Sequence, residues 1–133
     1  AGHFPHPTGP LNFFETSPQL HKAVAESAEH GVHRVLIIAD TNFASDKNIF
    51  FRDDWQVMNS ARLLGAIGVP NHNTQTTSGL LTCCEPWWAH KGYDRIIANF
   101  GTHMATDVGF NISMAQKLHS RSMHLPVVGT LTL

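Results

Sequence analysis

Ten of the 133 residues are histidine, a side chain that exchanges protons near neutral pH and ligates metals. His3 and His6 are separated by two residues, and so are His30 and His33. A zinc centre needs a convergent third or fourth ligand. Neither an H-E-x-x-H nor a Cys-x-x-Cys pattern supplies one, so no metal site is expected. The sharper candidate is a carboxylate. Asp40 follows the apolar run Val35-Leu36-Ile37-Ile38-Ala39 and is itself followed by Thr41 and Asn42. Five consecutive apolar residues suit a strand buried on both faces, and ligands in open α/β sheets sit just beyond the carboxyl ends of strands. The same Asp40 could instead cap its own turn through the backbone, as Asp often does after a strand.

Other chemistries find no anchor. No Gly-x-Gly-x-x-Gly or Walker-type loop follows a candidate strand, which argues against dinucleotide and P-loop nucleotide sites. No Gly-x-Ser-x-Gly elbow is present. What remains is acid–base chemistry by Asp, His, Arg or Tyr on a small polar molecule, with no cofactor. The polar cluster Asn71-His72-Asn73-Thr74-Gln75 is either a solvated loop or the lining of a polar pocket suited to a sugar.

The elements that must position these residues alternate helix and strand. Ser17 and Pro18 are suited to the N-cap and first position of a helix whose stripe is Leu20, Ala23, Val24 and Ala28, with Gly31 ending it. Asp53 or Asp54 can open a second helix carrying Val57, Ala61 and Leu64, closed by Gly65 and Gly68. Tyr93 to Phe100 contains Ile96-Ile97-Ala98 and reads as a second buried strand, with a helix as the competing reading. A third helix is expected from Thr106 or Asp107, with Val108, Ile112, Ala115 and Leu118 on one face. Leu125 to Val128 reads as a strand before the alternating tail Thr130-Leu131-Thr132-Leu133. This order predicts a single α/β layered domain over 1–133, with a largely parallel sheet and helices on both faces. Residues 1–12, rich in proline, form an extended arm that could lie across another subunit.

Composition narrows the partners. The chain is 42% hydrophobic and only 14% charged, which suggests a homo-oligomer that covers part of its surface. Nine basic against ten acidic residues leave no footprint for nucleic acid or an anionic membrane. No apolar stretch approaches the ~18–20 residues a membrane span needs. The two cysteines, Cys83 and Cys84, are adjacent and cannot staple distant segments, so a reducing, cytoplasmic setting is expected. The Trp87-Trp88 pair suggests one ring in the core and one at an interface.

Two stretches resemble a known family. Ser17-Pro18-Gln19-Leu20 through Glu26, then Ile38-Ala39-Asp40-Thr41-Asn42-Phe43, is similar to the opening of the fucose mutarotase and ribose pyranase family. Arg52-Asp53-Asp54 and Leu63-Leu64 before Ala66-Ile67 resemble its next segment. More loosely, Pro86 to Tyr93 and Phe110 to Ala115 resemble later parts. The chain departs from the pattern at Gly31-Val32-His33-Arg34, where the family has Gly-His-Gly-Asp, and it lacks the closing Tyr-Gly-Asn or Tyr-Ala-Asn motif. The resemblance covers about half the chain. It implies an α/β fold, ring-shaped oligomers and cofactor-free interconversion of anomeric or ring forms of free sugars.

A second resemblance is to isochorismatase-like hydrolases, through Asp40, Gly68-Val69-Pro70, Thr74-Gln75 and Thr106-Asp107-Val108-Gly109. Gly109 stands where that family has its nucleophilic cysteine, and Lys91 lies too near Gly101 for the usual catalytic lysine. A third reading is a non-catalytic oligomeric ligand-binding module. The leading expectation is a sugar isomerase of the mutarotase type. Asp40 moves one proton and His33 or His72 the other, while Asn42, Arg52 and Tyr93 hold the substrate.

Overall fold

The computed structural model describes residues 2–4, 13–43, 58–70, 73–77, 92–106, 124 and 127–133, with 13–16 as backbone alone. Strand β1 is Gly2–His3, helix α1 Phe13–Glu29, strand β2 Leu36–Asp40, helix α2 Ser60–Ala66 and strand β3 Gln75–Thr76. Strands β4, Asp94–Ala98, β5, His103–Thr106, and β6, Gly129–Thr132, complete the described elements.

The expected largely parallel sheet is not what forms. The main sheet has the order β1-β2-β4-β3, and only β1 runs parallel to its neighbour. Strand β4 runs antiparallel to both β2 and β3, and β5 and β6 form a separate antiparallel pair. The apolar run at 35–39 misleads because it is not buried on both sides. Leu36 and Ile38 remain 48% and 47% exposed, whereas Ala39 is buried and Ile37 packs against the core. One face of an antiparallel sheet can stay open in this way.

The helices do not flank the sheet. Leu63, Leu64 and Ile67 of α2 and its C-cap join Phe43, Met58, Val69 and Ile97 in one core, and Val24 of α1 packs against that same cluster. Both described helices therefore contribute to the Ile37–Ile97 side. Helix α1 begins four residues before Ser17, so Ser17 and Pro18 lie inside it. Its end follows expectation: Gly31 takes φ +77°, Val32 N–H donates to the Ser27 carbonyl at 2.9 Å and Gly31 N–H to Ala28 at 3.0 Å. That is the paired closure a left-handed residue after a helix permits. Helix α2 starts at Asn59, whose side-chain oxygen accepts from Arg62 N–H at 2.8 Å. Asp53, Asp54, Val57 and the expected helix after Asp107 lie outside the described residues.

Tyr93–Phe100 does contain a strand, and the tail does pair, as β6, although Val127 and Val128 precede that strand. The proline-rich arm is extended at residues 2–3, where it pairs with β2 of its own chain. No helix among the described residues is long and apolar enough to cross a membrane.

One buried cation ties these pieces together. Arg95 of β4 is 1% exposed, and its guanidinium donates to the carbonyls of Gly92 at 3.0 Å, Met58 at 2.5 Å and Phe43 at 2.7 Å. Replacing Arg95 by Met keeps much of the volume but leaves these buried acceptors without the charged donor. Hydrogen bonds to charged groups are worth about 1.5–3 kcal/mol each, so Arg95→Met should lower unfolding free energy by roughly 3 kcal/mol or more. Asn59→Ala, which removes a helix cap, should lose only about 1 kcal/mol. Urea unfolding of the two variants beside the native chain measures both.

Candidate functional site

Strand register assembles the site. In the β2–β4 ladder Asp40 lies opposite Asp94, and in β1–β2 His3 lies opposite Asp40. The row His3–Asp40–Asp94 thus crosses three strands. Thr41 N–H donates to the Tyr93 carbonyl at 2.8 Å, which makes Thr41–Tyr93 a hydrogen-bonded pair and its neighbour Asp40–Asp94 a non-hydrogen-bonded one. Side chains approach most closely in that kind of pair. The two carboxylates are 15% and 17% exposed, too shielded for water to screen them fully.

His124 closes over the pair. Its Nδ1 lies 2.8 and 3.0 Å from the two Asp94 carboxylate oxygens, and its Nε2 lies 3.7 Å from Asp40 Oδ2. An ionised carboxylate only accepts, so Nδ1 carries the proton in the bond to Asp94. The other nitrogen then faces Asp40. His3 Nε2 lies 3.3 Å from the same Oδ2. Ligand atoms of Asp40, Asp94 and His124 all stand within 4.8 Å of one another.

Asp40 fills both roles open to it. Its Oδ1 accepts from Asn42 N–H at 2.9 Å, the turn closure that an Asp after a strand provides, while Oδ2 points toward the imidazoles. Asn42 sits in the left-handed region at φ +54°, which Asn tolerates better than most side chains. Its amide nitrogen donates to the Phe4 carbonyl and contacts His3 Nε2 at 3.2 Å, so it braces the arm. Tyr93 is partly buried beside this row, and its phenol is raised above the ordinary value of 10.0, first by burial and second by the Asp40 charge.

Of the expected site residues, Asp40, Asn42 and Tyr93 come together. His33 does not. It precedes β2 at the end remote from Asp40, on the order of 20 Å away along an extended chain, and its carbonyl accepts from Asn99 Nδ2. His72 and Arg52, like Lys91 of the hydrolase reading, lie outside the described residues. Asp94, His124 and His3 are the partners that sequence reasoning missed. A parallel sheet would have put Asp94, the first residue of its strand, at the end away from Asp40; reversing the strand brings the two together. No local pattern marks His124. Comparison with protein families, curated proteins and solved structures finds no match for this chain.

Tyr93 is the only tyrosine, so phenolate absorbance reports it alone. Its midpoint should lie above 10.0 and move down, though not fully back, in Asp40→Asn, because burial is the larger cause. Above pH 10.0 the unfolded chain loses this proton while the folded chain keeps it. Stability from this group is therefore complete below that pH and lost as pH rises through the folded value. Tyr93→Phe should remove that part of the alkaline loss in melting experiments.

Proposed function

We propose that this chain interconverts anomeric or ring forms of a small free sugar by acid–base catalysis, with Asp40 and His124 as the proton-transfer pair. The observation that carries the reading is His124 set between two carboxylates at the end of β2, hydrogen-bonded to Asp94 and facing Asp40. The resemblance of residues 17–26 and 38–43 to sugar mutarotases supports it. His124 takes the place expected for His33 or His72.

Ring opening needs one group to take the anomeric hydroxyl proton and another to protonate the ring oxygen. Asp40 Oδ2 accepts the first proton. His124 Nε2–H gives the second as the ring carbon–oxygen bond breaks, leaving an open-chain carbonyl. Closure on the other face of that carbonyl reverses both transfers, so the protein ends as it began and no cofactor is consumed. Asp94 holds the imidazole and balances its charge while Nε2 is protonated. A cytoplasmic setting accords with a sequence whose two cysteines, Cys83 and Cys84, are adjacent.

Each partner of such a pair is worth typically about 10²–10⁴-fold in rate. Saturation-transfer NMR across a panel of free monosaccharides should show exchange above the buffer rate for at least one sugar. Asp40→Asn and His124→Gln should each cut the excess by about 10²-fold or more. A panel with no excess exchange in the native chain defeats the reading.

The same reading carries a homo-oligomer. Leu36, Ile38 and Val32, at 48%, 47% and 56% exposure, leave an apolar surface beside the site, and such surface usually marks an interface when contiguous. Light scattering should give a mass above one chain, reduced in a Leu36→Ser, Ile38→Ser double variant. A native monomer at micromolar concentration removes the claim.

A further inference from the structure

Strand β2 has one paired edge and one that is largely open. Thr41 N–H donates to the Tyr93 carbonyl, Val35 C=O accepts from Asn99 N–H, and Val35 N–H donates to Asn99 Oδ1. The odd-numbered residues here therefore turn their main chain toward β4, and the even-numbered ones turn theirs to the opposite edge. On that edge β1 covers only the last two residues of β2, with Gly2 opposite Ala39 and His3 opposite Asp40. Phe4 N–H closes the same end by donating to the Asp40 carbonyl at 2.8 Å. Among the described residues nothing pairs with the main chain of Arg34 or Leu36.

This open edge is apolar. Val35 to Ala39 carries no charge and no proline, which are devices by which sheet edges turn away copies of themselves. A groove of about 580 Å³ opens along it between β2 and α1, lined by Leu20, Ala23, Val32, Leu36 and Ile38 among others. Of these, Leu20, Val32, Leu36 and Ile38 are exposed. Such a groove accepts an extended backbone, whose main chain pairs with the edge while its apolar side chains fill the sides.

We propose that two copies of this chain join edge to edge, antiparallel about a two-fold axis at Val35, so that the main sheet runs from one chain into the other. This rests on the homo-oligomer of the proposed function and names the groups that hold it. In a two-fold contact the same patch meets itself, and residues 32–38 are the extended, apolar segment that their own groove accepts. In this register Leu36 N–H and C=O of each copy pair with Arg34 C=O and N–H of the other. Val35 faces Val35 in the close, non-hydrogen-bonded kind of pair. Val32 of each copy lies opposite Ile38 of the other, so both exposed side chains gain a cross-strand neighbour. Arg34, whose guanidinium lies 5.3 Å from the centre of the Phe100 ring, lays its methylene stem beside Leu36 of the other copy. The pairing ends at Ile38, short of Gly2, so β1 keeps its place in both copies.

The test is amide hydrogen exchange of the full native chain by NMR, at concentrations above and below its assembly midpoint, beside light scattering. The Leu36 and Arg34 amides should exchange at least about tenfold more slowly in the assembled protein than in the dilute one. The assembled mass should be an even number of chains. Leu36→Pro removes the N–H on the open edge and leaves the β2–β4 bonds in place, as an edge proline can. It should raise the dissociation constant at least about tenfold beyond Leu36→Ala, because one hydrogen bond is lost from each copy. Circular dichroism checks that both variants are folded.

An odd number of chains overturns the proposal, and so does an equal effect of Leu36→Pro and Leu36→Ala in folded protein. Assembly in which the Leu36 amide exchanges as fast as in the dilute chain overturns this pairing and leaves the homo-oligomer standing. A native monomer overturns both, and protected amides in that monomer show the edge to be covered by its own chain. Sugar exchange is measured separately, so each of these results leaves the catalytic reading to its own experiment.

Discussion

The guanidinium of Arg95 is the interaction on which the rest of the described structure depends. It is buried beneath β4 and gathers carbonyls from three places: Phe43 just after β2, Met58 just before α2, and Gly92 just before β4. A cation so far from water is tolerable only when strong acceptors surround it. Those acceptors are main-chain groups, so satisfying the charge fixes the course of the chain. The segments leaving β2 and entering α2 are drawn to the point where Phe43, Leu63, Leu64 and Ile97 pack.

This tie also sets what the other face presents. Successive side chains on a strand point to opposite sides. With Arg95 inward, Asp94 faces the side that carries Leu36, Ile38 and Asp40. The ladder is pinned at its far end as well, where Asn99 accepts from Val35 N–H at 2.8 Å and donates to the His33 carbonyl at 2.9 Å. Thr41 completes the near end by donating its hydroxyl to the Tyr93 carbonyl at 2.9 Å. A slip of one residue would turn Asp94 into the core and Arg95 out of it. The register that buries Ile97 is therefore the register that places two carboxylates side by side.

Like charges directly opposite on a sheet are unfavourable. Here they persist where His124 reaches both, where His3 stands beside Asp40, and where the Tyr93 phenol keeps its proton more firmly than usual. The site is accordingly a charge arrangement in which one imidazole stands between two carboxylates.

Much of this was legible in the chain itself. The 35–40 run, the second strand within 93–100, the helix ending at Gly31 and the place of Asp40 at a strand end all follow from local rules. Hydrophobic runs, a left-handed glycine and an Asp after a strand act over a few residues. Helix α1 starts earlier than its Ser-Pro signal because Phe13–Glu29 already winds through Pro18. Strand direction was beyond such rules, since an apolar run looks the same whichever way its partner runs. Asp94 was hidden by that error, and His124 and His3 by their distance in sequence from Asp40. The sequence by itself determined that 35–40 and a segment within 93–100 extend, and which carboxylate ends the main strand. Only the tertiary structure decided that β4 runs antiparallel and that His124, thirty residues beyond Asp94, closes over the pair. Those depend on burying Arg95 and Ile97 together, a condition that involves residues from 43 to 97 at once.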